Sequence, residues 1–125
     1  MQPTPEHNEK IRKLTFSAVF PHYLTKIKRK GRNEDELYAV IEWLTGFDKI
    51  RIHKLIEENV SFESFFEKAK IHPDSTKIKG TICGYKVHEI ENNLTKQVRY
   101  LDLLVDELAR GKKLSKIFRM YIYSN

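Results

Sequence analysis

The single cysteine, Cys83, and the histidine five residues after it are the side chains best suited to nucleophilic chemistry. A thiol beside an imidazole is the minimum for a cysteine nucleophile, because the imidazole can take the thiol proton. The sequence specifies no third group to orient His88, and cysteine is among the residue types most often buried. We therefore predict a packed, inert thiol, and keep an enzyme with a site near Cys83 and His88 as an alternative.

Asp102 and Asp106 lie four residues apart, which places both carboxylates on one face of a helix. Paired acids can serve as acid and base in catalysis. Ion pairs of Asp102 with Arg99 and of Asp106 with Arg110 explain the same spacing through helical neighbours three and four residues apart. We favour the structural interpretation and predict no catalytic residues here.

Metal and nucleotide sites are not predicted. His88 and Glu89 would point to opposite faces of a strand, and the other histidines lie in separate segments without ligand spacing. The glycines match neither a P-loop nor a dinucleotide fingerprint. The sequence therefore predicts no metal and no cofactor.

Positive charge is concentrated at the two ends of the chain, which has a net charge of +6. Residues 10–32 contain eight Lys or Arg and no acid, and residues 110–125 contain five and no acid, whereas residues 33–109 contain ten against fifteen acids. This asymmetry favours an anionic partner, although cations at a helix C-terminus are also favourable by about 0.3–1 kcal/mol each. The predicted binding residues are Lys26, Lys28, Arg29, Lys30, Arg32, Lys112, Lys113, Lys116 and Arg119.

Three hypotheses follow for the function. The first is a non-enzymatic binding protein whose two basic ends form one surface for nucleic acid or an acidic protein, with Tyr121 and Tyr123 available for stacking on bases. The second is a helix-mediated homodimeric interaction module. The third is the enzyme with a site near Cys83 and His88.

Length and composition indicate one domain. The chain has 125 residues, of which 40% are hydrophobic and 32% charged, as in a globular protein with a heavily charged surface. One cysteine cannot form an internal disulfide, and no signal peptide or membrane-length apolar run is visible. We expect a cytoplasmic protein with no membrane association.

The domain should begin after a flexible lead of residues 1–12, occupy residues 13–121 and end in a tail of residues 122–125. Two helices are predicted: one with Ser17 as its N-cap that runs to Lys30, and one over residues 34–45 with Asn33 as its N-cap. Gly31 and Gly46 should end them. Asp48 should cap a third helix and Ser61 a fourth, short one rich in phenylalanine. Residues 70–80 read as a loop, and residues 80–90 as either a small β-hairpin or a loop.

The strongest helical pattern covers residues 93–110, where apolar residues recur at spacings of four, three, four and three. These residues are Leu94, Val98, Leu101, Val105 and Leu108. A last helix is expected over residues 112–121. The predicted fold is mainly α, a compact bundle of five or six helices packed around the 93–110 helix.

Several segments resemble the bacterial domain-of-unknown-function family 2200. They are residues 15–21 (Thr-Phe-Ser-Ala-Val-Phe-Pro), 30–32 (Lys-Gly-Arg), 43–48 (Trp-Leu-Thr-Gly-Phe-Asp), 82–84 (Ile-Cys-Gly), 99–102 (Arg-Tyr-Leu-Asp) and 108–112 (Leu-Ala-Arg-Gly-Lys). The resemblance covers nearly everything from about residue 13 to 119. It implies a compact cytosolic bacterial protein, and it carries no catalytic, cofactor or ligand residue onto this chain.

Overall fold

The computed structural model describes residues 1–120, which form seven α-helices, one β-hairpin and two short 3-10 turns. The 3-10 turns are Pro73–Lys77 and Val87–Glu89, and the hairpin pairs β1 (Thr81–Ile82) with β2 (Tyr85–Lys86) in antiparallel register. The helices are α1 (Pro5–Lys13), α2 (Phe16–Lys28), α3 (Glu34–Thr45), α4 (Lys49–Glu57), α5 (Phe62–Lys68), α6 (Asn93–Ala109) and α7 (Leu114–Ile117). The mainly helical fold is as predicted, with seven α-helices where five or six were expected.

Helix α6 is the hub of the molecule. It contacts α1, α2, α3, α5, α7 and β1, which surround it on nearly every side. Leu101, Leu104 and Leu108 are fully buried, and Leu94 at the helix start is half-buried. Burying a leucine side chain contributes about 1.5–3 kcal/mol relative to leaving it in water, so α6 supplies much of the stabilisation. The predicted central helix is confirmed.

The predicted caps of three helices are confirmed by their hydrogen bonds. Asn33 accepts from the Glu36 amide at 2.9 Å while Glu36 accepts from the Asn33 amide at 3.0 Å, which completes a capping box at the start of α3. Asp48 and Ser61 accept from the amides three residues on, at the starts of α4 and α5. Gly46 ends α3 in the left-handed region at φ 77°, where a side chain would be strained.

The prediction of a flexible lead over residues 1–12 is wrong, because most of this segment is helical. Thr4 caps α1, Pro5 is its first residue, and α1 packs on α6 through the buried Ile11. The Thr95 hydroxyl also donates to the Asn8 side chain at 2.6 Å. With one buried residue, α1 shows too little apolar periodicity to be recognised, and tertiary contacts hold it in place.

Helix α2 also begins and ends earlier than predicted. Thr15, not Ser17, is its N-cap, and Lys28, not Lys30, is its last residue. The Ser17 hydroxyl instead donates to Asn59 at 2.7 Å, which ties the start of α2 to the end of α4. Pro21 lies inside the helix because the true start leaves it beyond the first turn.

Residues 80–90, for which either a small β-hairpin or a loop was predicted, contain the hairpin. Its two-residue turn, Cys83-Gly84, has positive φ at both positions, 52° and 82°. These are the two left-handed positions of a type I′ turn, whose twist matches that of the flanking strands.

Helix α7 is shorter than the predicted 112–121 segment. It spans four residues, and Phe118 just after it stacks on Trp43 of α3 with ring centroids 5.6 Å apart. The predicted end of the domain at residue 121, the tail of residues 122–125, and Tyr121 and Tyr123 with their stacking role lie outside the described residues. No helix in residues 1–120 is long and apolar enough to cross a membrane.

Candidate functional site

The turn after α2 meets the turn after α6, and Arg32 joins them. Its Nη1 donates to the backbone oxygens of Leu108 at 3.1 Å and Lys112 at 2.9 Å. Its Nε and Nη2 donate to one carboxylate oxygen of Glu36, at 3.0 and 2.7 Å. Because Arg32 satisfies carbonyls at the end of α6, the two basic segments lie at the same end of the molecule.

A second link lies one turn back along the same helices. Asp106 of α6 forms ion pairs with Lys26, whose Nζ is 3.0 Å away, and with Arg110, whose Nε is 2.9 Å away. One carboxylate thereby bridges the last turn of α2 to the end of α6. This is the structural role expected for the Asp106 spacing, and it leaves that carboxylate neutralised by two cations.

The nine predicted binding residues divide into two groups by what they contact. Arg32 and Arg119 are largely buried and bonded within the protein, while Lys26 and Lys112 are paired with carboxylates at 3.0 and 3.3 Å. The other five are exposed and form no ion pair within residues 1–120. We name these five the basic surface: Lys28, Arg29, Lys30, Lys113 and Lys116.

Arg119 has a different environment from the one predicted. Its side chain is 8% exposed and forms two hydrogen bonds with Glu107 of α6, at 2.6 and 3.0 Å. Arg119 Nη1 also donates to the backbone oxygen of Ile117 at 2.8 Å. This bidentate pair fixes the chain after α7 onto α6, so Arg119 is a buried anchor.

Arg99 and Asp102 form the centre of a second polar cluster, between α1, α2, α6 and the hairpin. Arg99 Nη1 donates to Asp102 at 2.8 Å, and the Tyr23 hydroxyl donates to the other Asp102 oxygen at 2.5 Å. Arg99 Nη2 lies 2.9 Å from His7 Nε2, and Nη1 also lies 3.5 Å from Cys83 Sγ. We name these five residues the arginine cluster.

Burial raises the pKa of the Tyr23 hydroxyl well above its usual value, and the neighbouring Asp102 carboxylate adds to the effect. The hydroxyl therefore keeps its proton at ordinary pH and donates a hydrogen bond to Asp102. Both oxygens of Asp102 are occupied, one by Tyr23 and one by Arg99. Because each oxygen has a partner within the protein, the geometry favours the structural interpretation of the Arg99 and Asp102 pair over acid–base catalysis.

The prediction that Cys83 is packed is wrong, because Cys83 is exposed in the hairpin turn. Its thiol lies 3.5 Å from Arg99 Nη1, while His88 Nε2 lies 3.8 Å from Glu89. Within the described residues no hydrogen bond joins Cys83 to His88. A small cavity of about 270 Å³ lies beside Cys83 and Asp102.

Sequence reasoning missed His7 and Tyr23 of the arginine cluster. His7 lay in the segment predicted to be flexible, and nothing in the sequence links it to Arg99, 92 positions away. Tyr23 lies on the buried face of α2 and is 7% exposed. A tyrosine on a buried face needs a partner for its hydroxyl, which is the signal that was available.

Two other properties bear on the remaining alternatives. Residues 1–120 contain no group of three His, Cys, Asp or Glu side chains that could hold a metal ion. Their large exposed hydrophobic residues belong to separate segments of the chain: Met1, Leu14, Ile50 and Met120.

Fold and surface together define a small helical protein built around one buried helix, with a basic surface at the end where α2 and α6 terminate. The chain belongs to the family described as an uncharacterized protein conserved in bacteria, domain-of-unknown-function family 2200, whose model matches residues 10–119. The fold is similar to the crystal structure of the uncharacterized protein SP1917, with a TM-score of 0.84 and 31% sequence identity. That match covers 94% of this chain and 97% of the other. No curated protein matches the chain.

Proposed function

We propose that the protein binds nucleic acid through the sugar-phosphate backbone, using the basic surface. The observation that carries the proposal is that Arg32 brings two separate basic segments together. Five exposed cations there have no carboxylate partner in residues 1–120, so their charge is available to an external anion. Lysine and arginine that neutralise phosphates release condensed counterions, which is the main source of sequence-independent affinity.

The proposal favours nucleic acid over an acidic protein because the surface is made of long, flexible and separately exposed cations. Such side chains can follow a regular row of phosphates without a shaped pocket, as in sequence-independent binding. An acidic protein partner would require complementary packing around the charges, whereas every side chain of the basic surface is a lysine or an arginine.

The test is a titration of the full chain against a labelled DNA duplex, a DNA single strand and an RNA single strand at several salt concentrations. Five phosphate contacts predict a slope of log K against log salt of about −4.5 on duplex DNA. Lys28→Ala/Lys30→Ala should weaken binding and reduce the slope by about 1.8, since each lost phosphate contact removes about 0.9.

Lys68→Ala/Lys70→Ala is a matched control, because Lys68 ends α5 and Lys70 follows it by two residues, as Lys28 and Lys30 do for α2. The Lys70 amide bonds to Thr45 at the far end of α3, about 18 Å along that helix from the Arg32 turn. This control should bind as the unmodified chain does. Equal effects of the two double variants would refute the assignment, as would equally tight binding to polyglutamate of matched charge.

A further inference from the structure

A cleft of about 620 Å³ opens between the loop that precedes the hairpin and the end of α6 with α7. Its volume lies within the range of about 300–1,000 Å³ that is typical of small-ligand sites. Lysine is the commonest residue in its lining. Lys79 contributes from the loop, and Lys112, Ser115 and Lys116 contribute from the segment around α7.

The cleft is also lined by the buried pair of Glu107 and Arg119. Two hydrogen bonds hold the pair together, and Lys112 Nζ lies 3.3 Å from the same carboxylate. Within residues 1–120, Glu107 is the one carboxylate that lines the cleft, and it is already neutralised by these cations. Its charge therefore does not offset the ammonium groups of Lys79 and Lys116, which form no ion pair within residues 1–120.

The lining thus has a positive charge and contains one rigid element, the pair of Glu107 and Arg119. Because two hydrogen bonds to Glu107 hold Arg119, its side chain has little freedom to move. This part of the cleft is therefore organised before any ligand arrives. The lysines approach from two walls, and the Ser115 hydroxyl adds a neutral donor. An anion entering this cleft meets donors from several directions.

We propose that this cleft binds a phosphate group. A phosphate presents oxygens in three dimensions and can accept from ammonium groups on opposite walls, whereas a planar carboxylate is matched best by the fork of an arginine. Arg119 is already held by Glu107, so the available donors that line the cleft within residues 1–120 are the lysines and the Ser115 hydroxyl. The phosphate could belong to a free phosphorylated small molecule or to the phosphorylated end of a nucleic acid.

The test is calorimetric titration of the full chain with inorganic pyrophosphate. Saturable binding is expected, and Lys79→Ala should weaken it about tenfold, since a lost charge-assisted contact is worth roughly that factor. Lys116→Ala provides a second variant with the same expectation. Lys54→Ala removes an exposed lysine of α4 that does not line the cleft and should leave the affinity unchanged. Thermal melts establish that each variant is folded.

Absence of saturable binding would overturn the proposal, and so would equal affinities of the Lys79→Ala and Lys54→Ala variants. A comparison of oligonucleotides with a 5′-phosphate and a 5′-hydroxyl identifies the source of the phosphate. A preference for the phosphorylated end that Lys79→Ala abolishes assigns the site to nucleic acid, while equal binding assigns it to a free ligand. Lys28→Ala/Lys30→Ala should preserve pyrophosphate binding, because these two residues belong to the basic surface and do not line the cleft, whereas Lys116 belongs to both.

Discussion

The arginine cluster and the basic surface contain the same kinds of charged side chain in opposite situations. In the cluster, the side chain of Arg99 is 13% exposed and contacts Asp102, His7 and Cys83, so its charge is used within the protein. On the basic surface, Lys28 and Lys113 are exposed and have no ion pair in the described part of the chain. Charge count alone therefore does not identify a binding surface.

Burial and pairing decide between the two roles. A charge that leaves water needs compensation by hydrogen bonds, so buried arginines come with partners and removing one partner is costly. An exposed lysine remains hydrated, and a phosphate can replace its bound water with little change in the free energy of unfolding. Substitutions in the two regions should consequently separate stability from binding, and the following variants test that separation.

Glu107→Gln should have the largest effect on stability, because it leaves Arg119 buried without its carboxylate. Breaking one partner of a buried ion pair costs about 3–5 kcal/mol in the free energy of unfolding. Chemical denaturation would measure the loss. Replacing both partners, with Glu107→Leu and Arg119→Met, should be milder than the single substitution. A single variant as stable as the unmodified chain would show that the Glu107 and Arg119 pair is not buried as described.

Tyr23→Phe should cost about 2 kcal/mol at neutral pH, because a hydrogen bond to a charged group is lost. The pKa of Tyr23 is raised in the folded protein, so this hydroxyl stays protonated when an unfolded tyrosine ionises. Its contribution is complete below the unfolded pKa of about 10 and declines as the pH rises above that value. Denaturation at pH 7 and at pH 11 should show the difference between the two proteins narrowing at the higher pH. A constant difference would contradict the Tyr23 assignment.

Arg32→Met should destabilise the protein by about 1–2 kcal/mol, since carbonyls at the end of α6 and the Glu36 carboxylate lose their donor. Lys30→Met, two residues earlier, should change the unfolding free energy by less than about 0.5 kcal/mol because Lys30 is exposed. Nucleic-acid binding should fall in both variants, through separation of the two turns in the first and loss of a cation in the second. Equal stabilities would show that Arg32 does not join the turns.

The fold was predictable where an apolar period continues over several helical turns and where a helix cap is formed by residues close together in the chain. The α6 pattern extends over four apolar spacings, and the Asn33 capping box lies within four residues. Helix α1 was not predictable, because its position depends on distant contacts such as that between Asn8 and Thr95. Sequence signals such as helix caps reflect hydrogen bonds between residues close together in the chain. A short helix with one buried residue has few such signals.

The sequence predicted which charged residues belong to the candidate site. It did not predict which of them are buried in ion pairs and which are exposed. Sequence asymmetry indicated both basic ends, but nothing in it distinguished Arg119, which is buried, from Lys116, which is exposed. That distinction depends on Glu107, 12 positions before Arg119. The exposure of Cys83 was missed for a similar reason, since the general tendency of cysteine to be buried was given more weight than the turn signal of Gly84.

Cys83→Asn should have the smallest effect and the opposite sign, raising the unfolding free energy by about 0.5 kcal/mol. Asn-Gly is the preferred pair for a type I′ turn because asparagine tolerates the left-handed conformation that Cys83 adopts at φ 52°. The loss of the weak contact with Arg99, 3.5 Å from Sγ, offsets only part of this gain. A melting curve measures the sign, and Cys83→Val, which is β-branched and disfavoured at positive φ, should be destabilising. If Asn lowers the stability as much as Val, the contact between Cys83 and Arg99 stabilises the turn more than the Asn-Gly preference does.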